Sequence, residues 1–104
     1  MTLEKLRGIY ELVGATFDIL CKNGFRLVNM DIVALTKQSN KHDVTCIKFD
    51  IVASFGFVIY TKTNVRIIPV TWIHDFLCNE IGIVDLPKDF ISLLYSLGIH
   101  PLCG

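Results

Sequence analysis

Phe25–Thr36, FRLVNMDIVALT, and Val44–Ala53, VTCIKFDIVA, decide the fold between them. In the second stretch Ile47, Phe49, Ile51 and Ala53 alternate with Cys46, Lys48 and Asp50. That is the period of a strand with one buried and one wet face, as antiparallel sheets often carry. The first stretch alternates less cleanly: Val28, Met30, Ile32 and Ala34 share one face, while Phe25 and Leu27 belong to the other. A phase change inside one strand predicts a bulge near Leu27. Lys37–Asp43 (KQSNKHD), between the two stretches, is the most polar segment and reads as an exposed turn.

Downstream, Ser54-Phe55-Gly56 marks a turn or bulge before a third strand, Phe57–Thr61. Lys62-Thr63-Asn64 reads as a hairpin turn into Val65–Val70. Pro69 has no N–H for a ladder, so this last strand is at an edge or ending.

Helices flank the strands. From Leu3 to Lys22, Leu6, Ile9, Tyr10, Val13, Phe17, Leu20 and Cys21 recur at three- and four-residue steps and form one stripe. Thr2 caps the start, and Asn23-Gly24 supplies the left-handed residue that ends it. Gly8 and Gly14 each weaken this helix by roughly 1 kcal/mol relative to Ala. After the strands, Thr71–Ile81 carries Trp72, Ile73, Phe76, Leu77 and Ile81 and stops at Gly82. Lys88–Leu97 follows, with Asp85 as its cap and Pro87 in the first turn, and stops at Gly98. The predicted architecture is a single α+β domain over residues 1–104: an N-terminal helix, a three- to four-stranded, mainly antiparallel sheet and two C-terminal helices, arranged as a two-layer sandwich.

Composition limits the function classes. Hydrophobic residues are 52% of the 104-residue chain and charged ones 19%, enough apolar matter for a core. The longest uncharged stretch, Ile51–Thr61, suits a buried strand and falls short of the ~18 residues of a membrane span. Glu4, Lys5 and Arg7 occupy the N-terminus where a signal peptide carries an apolar core, so the expected setting is intracellular and cytoplasmic. In that reducing environment Cys21, Cys46, Cys78 and Cys103 read as thiols. Ten basic and ten acidic residues leave no net charge, so the excess of Lys and Arg that drives nonspecific nucleic-acid binding is absent. Lys37, Lys41, Lys48, Lys62 and Arg66 make a basic cluster only if their strands adjoin. Zero net charge on an apolar protein also gives little defence against self-association.

Four constellations carry chemistry. His74 and Cys78, four apart on a predicted helix, and His100 and Cys103, three apart near the C-terminus, offer a tetrahedral zinc donor set. The plainer alternative packs Cys78 in the core and leaves His74 exposed. His42 and Cys46, with Asp43 adjacent, offer a thiol and a base, but residues four apart on a strand are separated by roughly 13 Å. Asp31 and Asp50 sit where they share the polar face of one sheet, suited to metal binding or hydrolysis. The acid that an Asp…Glu-x-Lys nuclease places two residues before its lysine is Cys46 here, ahead of Lys48. Trp72, the only tryptophan, is either a core anchor or a binding hot spot that Phe55, Phe57 and Tyr60 extend beside an exposed strand edge.

Leu12–Leu35, LVGATFDILCKNGFRLVNMDIVAL, resembles the helix-turn-strand segment of nucleoside diphosphate kinases. The family's Lys-Pro-Asp opening and its Asn-x-x-His-Gly-Ser context have no counterpart. The resemblance therefore implies a ferredoxin-like arrangement without kinase activity. Arg66–Pro87, RIIPVTWIHDFLCNEIGIVDLP, is similar to the last strand and Trp-bearing helix of BRCT domains: Trp72 matches the helix-starting Trp, and Asn23-Gly24 stands where the family has Gly-Gly. The implied role is a phosphopeptide- or DNA-repair-associated interaction module. The family's first strand is replaced by a long helix, and its central helix by the strand-like Ile51–Thr61.

The expected function is a non-enzymatic interaction or regulatory domain that needs no cofactor and binds a protein partner or another copy of itself. Metal binding, or hydrolysis by the His/Cys or Asp groups, is the chemical alternative. Few alanines beside many Ile, Lys, Asn and Phe fit an AT-rich genome, including phage and other mobile elements.

Overall fold

In the computed structural model, which describes residues 2–35, 43–50 and 56–100, Thr2 opens helix α1 (Leu3–Cys21), its hydroxyl accepting from the Lys5 N–H at 3.2 Å. The helix ends at Lys22, with Gly24 at a φ of 95° as expected. Its buried stripe is Ile9, Leu12, Val13, Thr16, Ile19 and Leu20, rotated from the predicted one: Tyr10 and Cys21 are exposed. Thr16 explains part of the shift. Its hydroxyl donates to the Leu12 carbonyl at 2.7 Å, so a polar residue is buried with its hydrogen bond satisfied inside the helix.

The predicted strand Phe25–Thr36 is in fact a hairpin, β1 (Phe25–Val28) and β2 (Asp31–Ala34). Asn29 and Met30 form its two-residue turn, with φ of 50° and 73°. Positive φ at both central residues is the twist that tight hairpins favour. Phe25 opposes Ala34 and Leu27 opposes Ile32, and opposed residues share a face. The phase change is therefore the hairpin itself and not a bulge near Leu27. The bulge lies further on, in β3 (Val44–Asp50), between Val44 and Cys46. It brings Val44 and Ile47, three apart, to the same buried face.

β4 (Gly56–Thr61) and β5 (Val65–Pro69) complete the sheet. Five strands, one or two more than expected, pair in the order β1-β2-β3-β4-β5, each antiparallel to the next. β5 is an edge strand, as Pro69 requires. The sheet is a meander of five neighbouring strands, and among the described residues no helix lies between them, so the ferredoxin-like arrangement, which alternates strands and helices, is not met. The BRCT-like arrangement is not met either, because residues 3–21 are one helix and Gly56–Thr61 is a strand. The predicted turn residues 37–42 and 54–55, and the strand residues 51–53, lie outside the described residues.

A 3-10 turn (Val70–Trp72), the α-helical turn α2 (Ile73–Asp75) and a π-helical turn (Phe76–Ile81) follow without a break and stop at Gly82, φ 88°. The single predicted helix is thus three geometries in series. Helix α3 (Lys88–Ser96) starts after Pro87 with no side-chain cap, so Asp85 does not cap it. It ends in a Schellman motif: Ile99 N–H donates to Leu94 O at 2.9 Å, and Gly98 N–H to Tyr95 O at 3.0 Å. Ile99, buried, supplies the accompanying apolar contact.

The pairing registers sort the sheet's side chains into two faces. Phe25, Ile32, Val44, Ile47, Phe57, Ile59 and Ile68 are all buried and all share one face. They form one core cluster with Leu12 and Leu20 of α1, Ile73 and Phe76 of the composite helix, and Phe90 and Leu94 of α3. Each such side chain contributes roughly 1.5–3 kcal/mol by leaving water. Phe49 ties the layers together, with Tyr10 of α1 edge-on at 6.2 Å and Phe57 at 5.5 Å. The result is the expected two-layer α+β sandwich. Among the described residues no helix is long and apolar enough to cross a membrane.

Candidate interaction surface

The second face of the sheet carries Arg26, Val28, Asp31, Val33, Cys46, Lys48, Asp50, Val58, Tyr60, Val65 and Ile67, and none of these side chains is buried. Val65 and Ile67 on the edge strand are 57% and 54% exposed. Asp31 and Asp50 do share this face, as expected. Asp31 is engaged with Lys48 at 3.6 Å, and Lys48 lies over the Tyr60 ring at 5.5 Å from its centroid. The face thus combines a valine-rich apolar field with a charged patch in which Asp31 and Lys48 are paired.

Cys46 sits within that patch. Burial, and then the Asp31 carboxylate, raise its pKa above the ordinary thiol value, with Lys48 pulling the other way. A thiol so placed is protonated near neutrality and is not an activated nucleophile. His42, its proposed base, lies outside the described residues.

The aromatic residues divide. Trp72 is 61% exposed, so it is a surface residue and not the core anchor. Tyr60 is half-buried on the open face. Phe57 must be removed from the binding surface: its side chain points to the helices and is fully buried. Sequence alone does not assign the faces of β4, because GFVIY is apolar at every position. Phe55 lies outside the described residues.

His74 is buried at 7% exposure, the reverse of the plainer sequence expectation, and Cys78 is half-buried. The Cys78 Sγ stands 3.9 Å from His74 Nε2 and 4.0 Å from Nδ1, and Asp75 Oδ1 is 4.0 Å from Nδ1. His74 and exposed His100 both line a cleft of about 230 Å³ with Trp72 and Asp75. Tyr95 packs on the His100 ring at 5.4 Å. Among the described residues no three His, Cys, Asp or Glu side chains are placed to hold a metal ion, and Cys103 lies outside them. A second cavity, about 300 Å³, is lined by Val33, Ala34, Leu35, Asp43, Val44, Thr45 and Lys62. Its lining among the described residues is mostly apolar.

Among the described residues Lys48 and Arg66 do not gather. Lys48 projects from the open face and Arg66 from the buried one, where it pairs with Glu80. Lys37 and Lys41 lie outside the described residues. Comparisons with protein-family models, with curated proteins and with solved structures return no match.

Proposed function

We propose that this chain is a non-enzymatic protein-interaction domain that docks a protein partner or another copy of itself through the open face of its sheet. One observation carries this reading: among the described residues every buried side chain of the sheet lies on the helix-covered face, and no described element covers Val28, Val33, Val58, Tyr60, Val65 and Ile67. Apolar side chains that water contacts in a contiguous field are the usual mark of an interaction site. Tyr60 adds the aromatic type enriched at such surfaces. Zero net charge and locally paired ions fit a protein partner better than nucleic acid. The free thiols Cys21, Cys46 and Cys78 suit a reducing, intracellular setting.

The test introduces charge on the open face, as Val58→Lys and Tyr60→Glu. Lys48 and Asp50 already stand on this face, so both variants are expected to fold, as circular dichroism will show. Association, read by light scattering and by capture of partners from an extract of the native source, is expected to fall at least tenfold in both. Unchanged association in folded variants, or a wild-type protein that neither self-associates nor captures a partner, would overturn the reading.

A further inference from the structure

The open face ends at an edge, β5, whose outward backbone groups have no ladder partner among the described residues. The Thr61 N–H donates to Asn64 O at 2.9 Å and closes the β4–β5 hairpin. Hydrogen-bonded and non-hydrogen-bonded pairs alternate along an antiparallel ladder. Ile59 with Arg66 and Phe57 with Ile68 are therefore bonded pairs, whereas Val65, Ile67 and Pro69 aim their backbone groups outward. Pro69, with no N–H to give, stands at an outward position, as the same alternation requires. Among the described residues no backbone bond outside the ladders uses Val65 or Ile67. The opposite edge differs: β1 is four residues long, and α1 packs against it.

Natural edges are guarded by charge, by proline, by distortion or by a covering element, and on β5 the proline, Pro69, stands only at the last residue. On β5 the one charge, Arg66, is on the buried face and held by Glu80. On the open side the edge shows Val65 and Ile67, each more than half exposed, and then the exposed Pro69.

We propose that β5 pairs antiparallel with β5 of a second copy about a twofold axis at Ile67, joining two five-stranded sheets into one. This rests on the reading of the open sheet face as an interaction surface and places the second copy at that face's β5 edge, where it extends the sheet and enlarges the face. Two features select a second copy. The chain carries no net charge, so two copies do not repel. The edge is also self-complementary in one register. With Ile67 opposite Ile67 of the second copy, the two exchange both backbone bonds, and each Val65 N–H donates to the opposing Pro69 carbonyl. The missing Pro69 N–H then costs one bond on each side. Shifting the axis to Arg66 would set two arginines directly opposite, where like charges destabilise a pair. The ladder is short, so the interface falls below about 1,200 Å² and the dimer is a weak one.

Sedimentation equilibrium over a concentration series up to about 1 mM, the range in which weak dimers form, tests it. The wild type is expected to dimerise. Ile67→Lys and Ile67→Glu are each expected to weaken dimerisation at least tenfold, and an equimolar mixture of the two to restore it, since the register places residue 67 against itself. Ile67→Pro, which removes only an outward N–H, gives the same loss if it folds; the Lys and Glu variants decide the matter if it does not. A wild type that is monomeric throughout, variants that dimerise like the wild type, or a mixture that stays monomeric overturns the edge pairing. Loss of dimer in Val58→Lys but not in Ile67→Lys overturns it while leaving the open-face reading intact.

Discussion

Asp31 and Lys48 face each other across β2 and β3 with carboxylate and ammonium 3.6 Å apart, on the side of the sheet away from the core. The two side chains are 31% and 45% exposed, so water screens the pair and its coupling is expected to be at most about 1 kcal/mol. A double-mutant cycle on Asp31→Asn and Lys48→Met, read by urea unfolding at low and high salt, checks this. Coupling well above that value would show the patch to be drier than its exposure indicates.

The same pair adds to what burial does to Cys46. Its folded-state pKa is raised, first by burial and then by Asp31. The native state thus holds the thiol proton more tightly than the unfolded chain. The associated stability is complete below the unfolded thiol pKa and is lost as pH rises through the raised folded value. Wild-type stability is therefore expected to fall on the alkaline side, and less so in Cys46→Ser. Asp31→Asn should speed alkylation of Cys46 at fixed pH, and Lys48→Met should slow it; mass spectrometry of the modified peptide reads both.

Met30 occupies the left-handed region at φ 73° and is 81% exposed. It bears the strain of the β1–β2 turn without burial to offset it. Met30→Gly produces the Asn-Gly pair that such turns prefer and is expected to stabilise the fold by about 1 kcal/mol, less whatever flexibility glycine adds to the unfolded chain. Thermal and urea midpoints measure the gain.

The two glycines inside α1 separate by environment. A Cβ at Gly14 meets nothing within 4 Å, so Gly14→Ala is expected to stabilise by about 0.5–1 kcal/mol. A Cβ at Gly8 would overlap Leu97 Cδ2, where α1 and α3 approach. Gly8→Ala is expected to return little or none of that gain, because Leu97 must move. Urea unfolding of both variants compares them directly.

The elements were legible where residue type and backbone geometry agree. Thr2 caps, Gly24, Gly82 and Gly98 turn left-handed, Pro69 lies on an edge, and Lys62-Thr63 turns a hairpin. Legibility failed where a residue acts against its type. Met30 carries no turn signal yet sits in a turn, so one hairpin read as one strand. Thr16 is polar yet buried, and this displaced the helix stripe. At the candidate surface the alternation of Cys46, Lys48 and Asp50 gave away the open face of β3. β4 is apolar on both sides, so nothing in its sequence told Phe57 from Tyr60.

The His74–Cys78 contact by itself does not make a metal site. The two side chains stand 3.9 Å apart, a separation that bonds of about 2.0 and 2.3 Å to one zinc can span, but among the described residues no third donor converges on them. Purified protein is expected to carry less than one equivalent of zinc, and chelation to leave the melting temperature unchanged. A stoichiometric metal whose removal lowers that temperature would restore the zinc reading, with the C-terminal Cys103 as the first donor to test.

Phe57 and Trp72 were grouped as one aromatic patch by sequence and are separated by the structure, and this gives the sharpest contrast between core and surface. Phe57 is fully buried, with Phe49 at 5.5 Å, and is opposite Ile68 on β5. Phe57→Ala removes its burial and leaves a cavity, at an expected cost of about 3–5 kcal/mol. Much of a small domain's stability would go with it. Trp72, 61% exposed on the 3-10 turn, stabilises little by burial, so Trp72→Ala is expected to change stability by no more than about 1 kcal/mol. If Trp72 contributes to binding, the loss will show in partner affinity with unfolding unchanged. Urea unfolding and a binding measurement on the two variants read stability and association separately. A Trp72→Ala variant that unfolds as readily as Phe57→Ala would place the tryptophan back in the core.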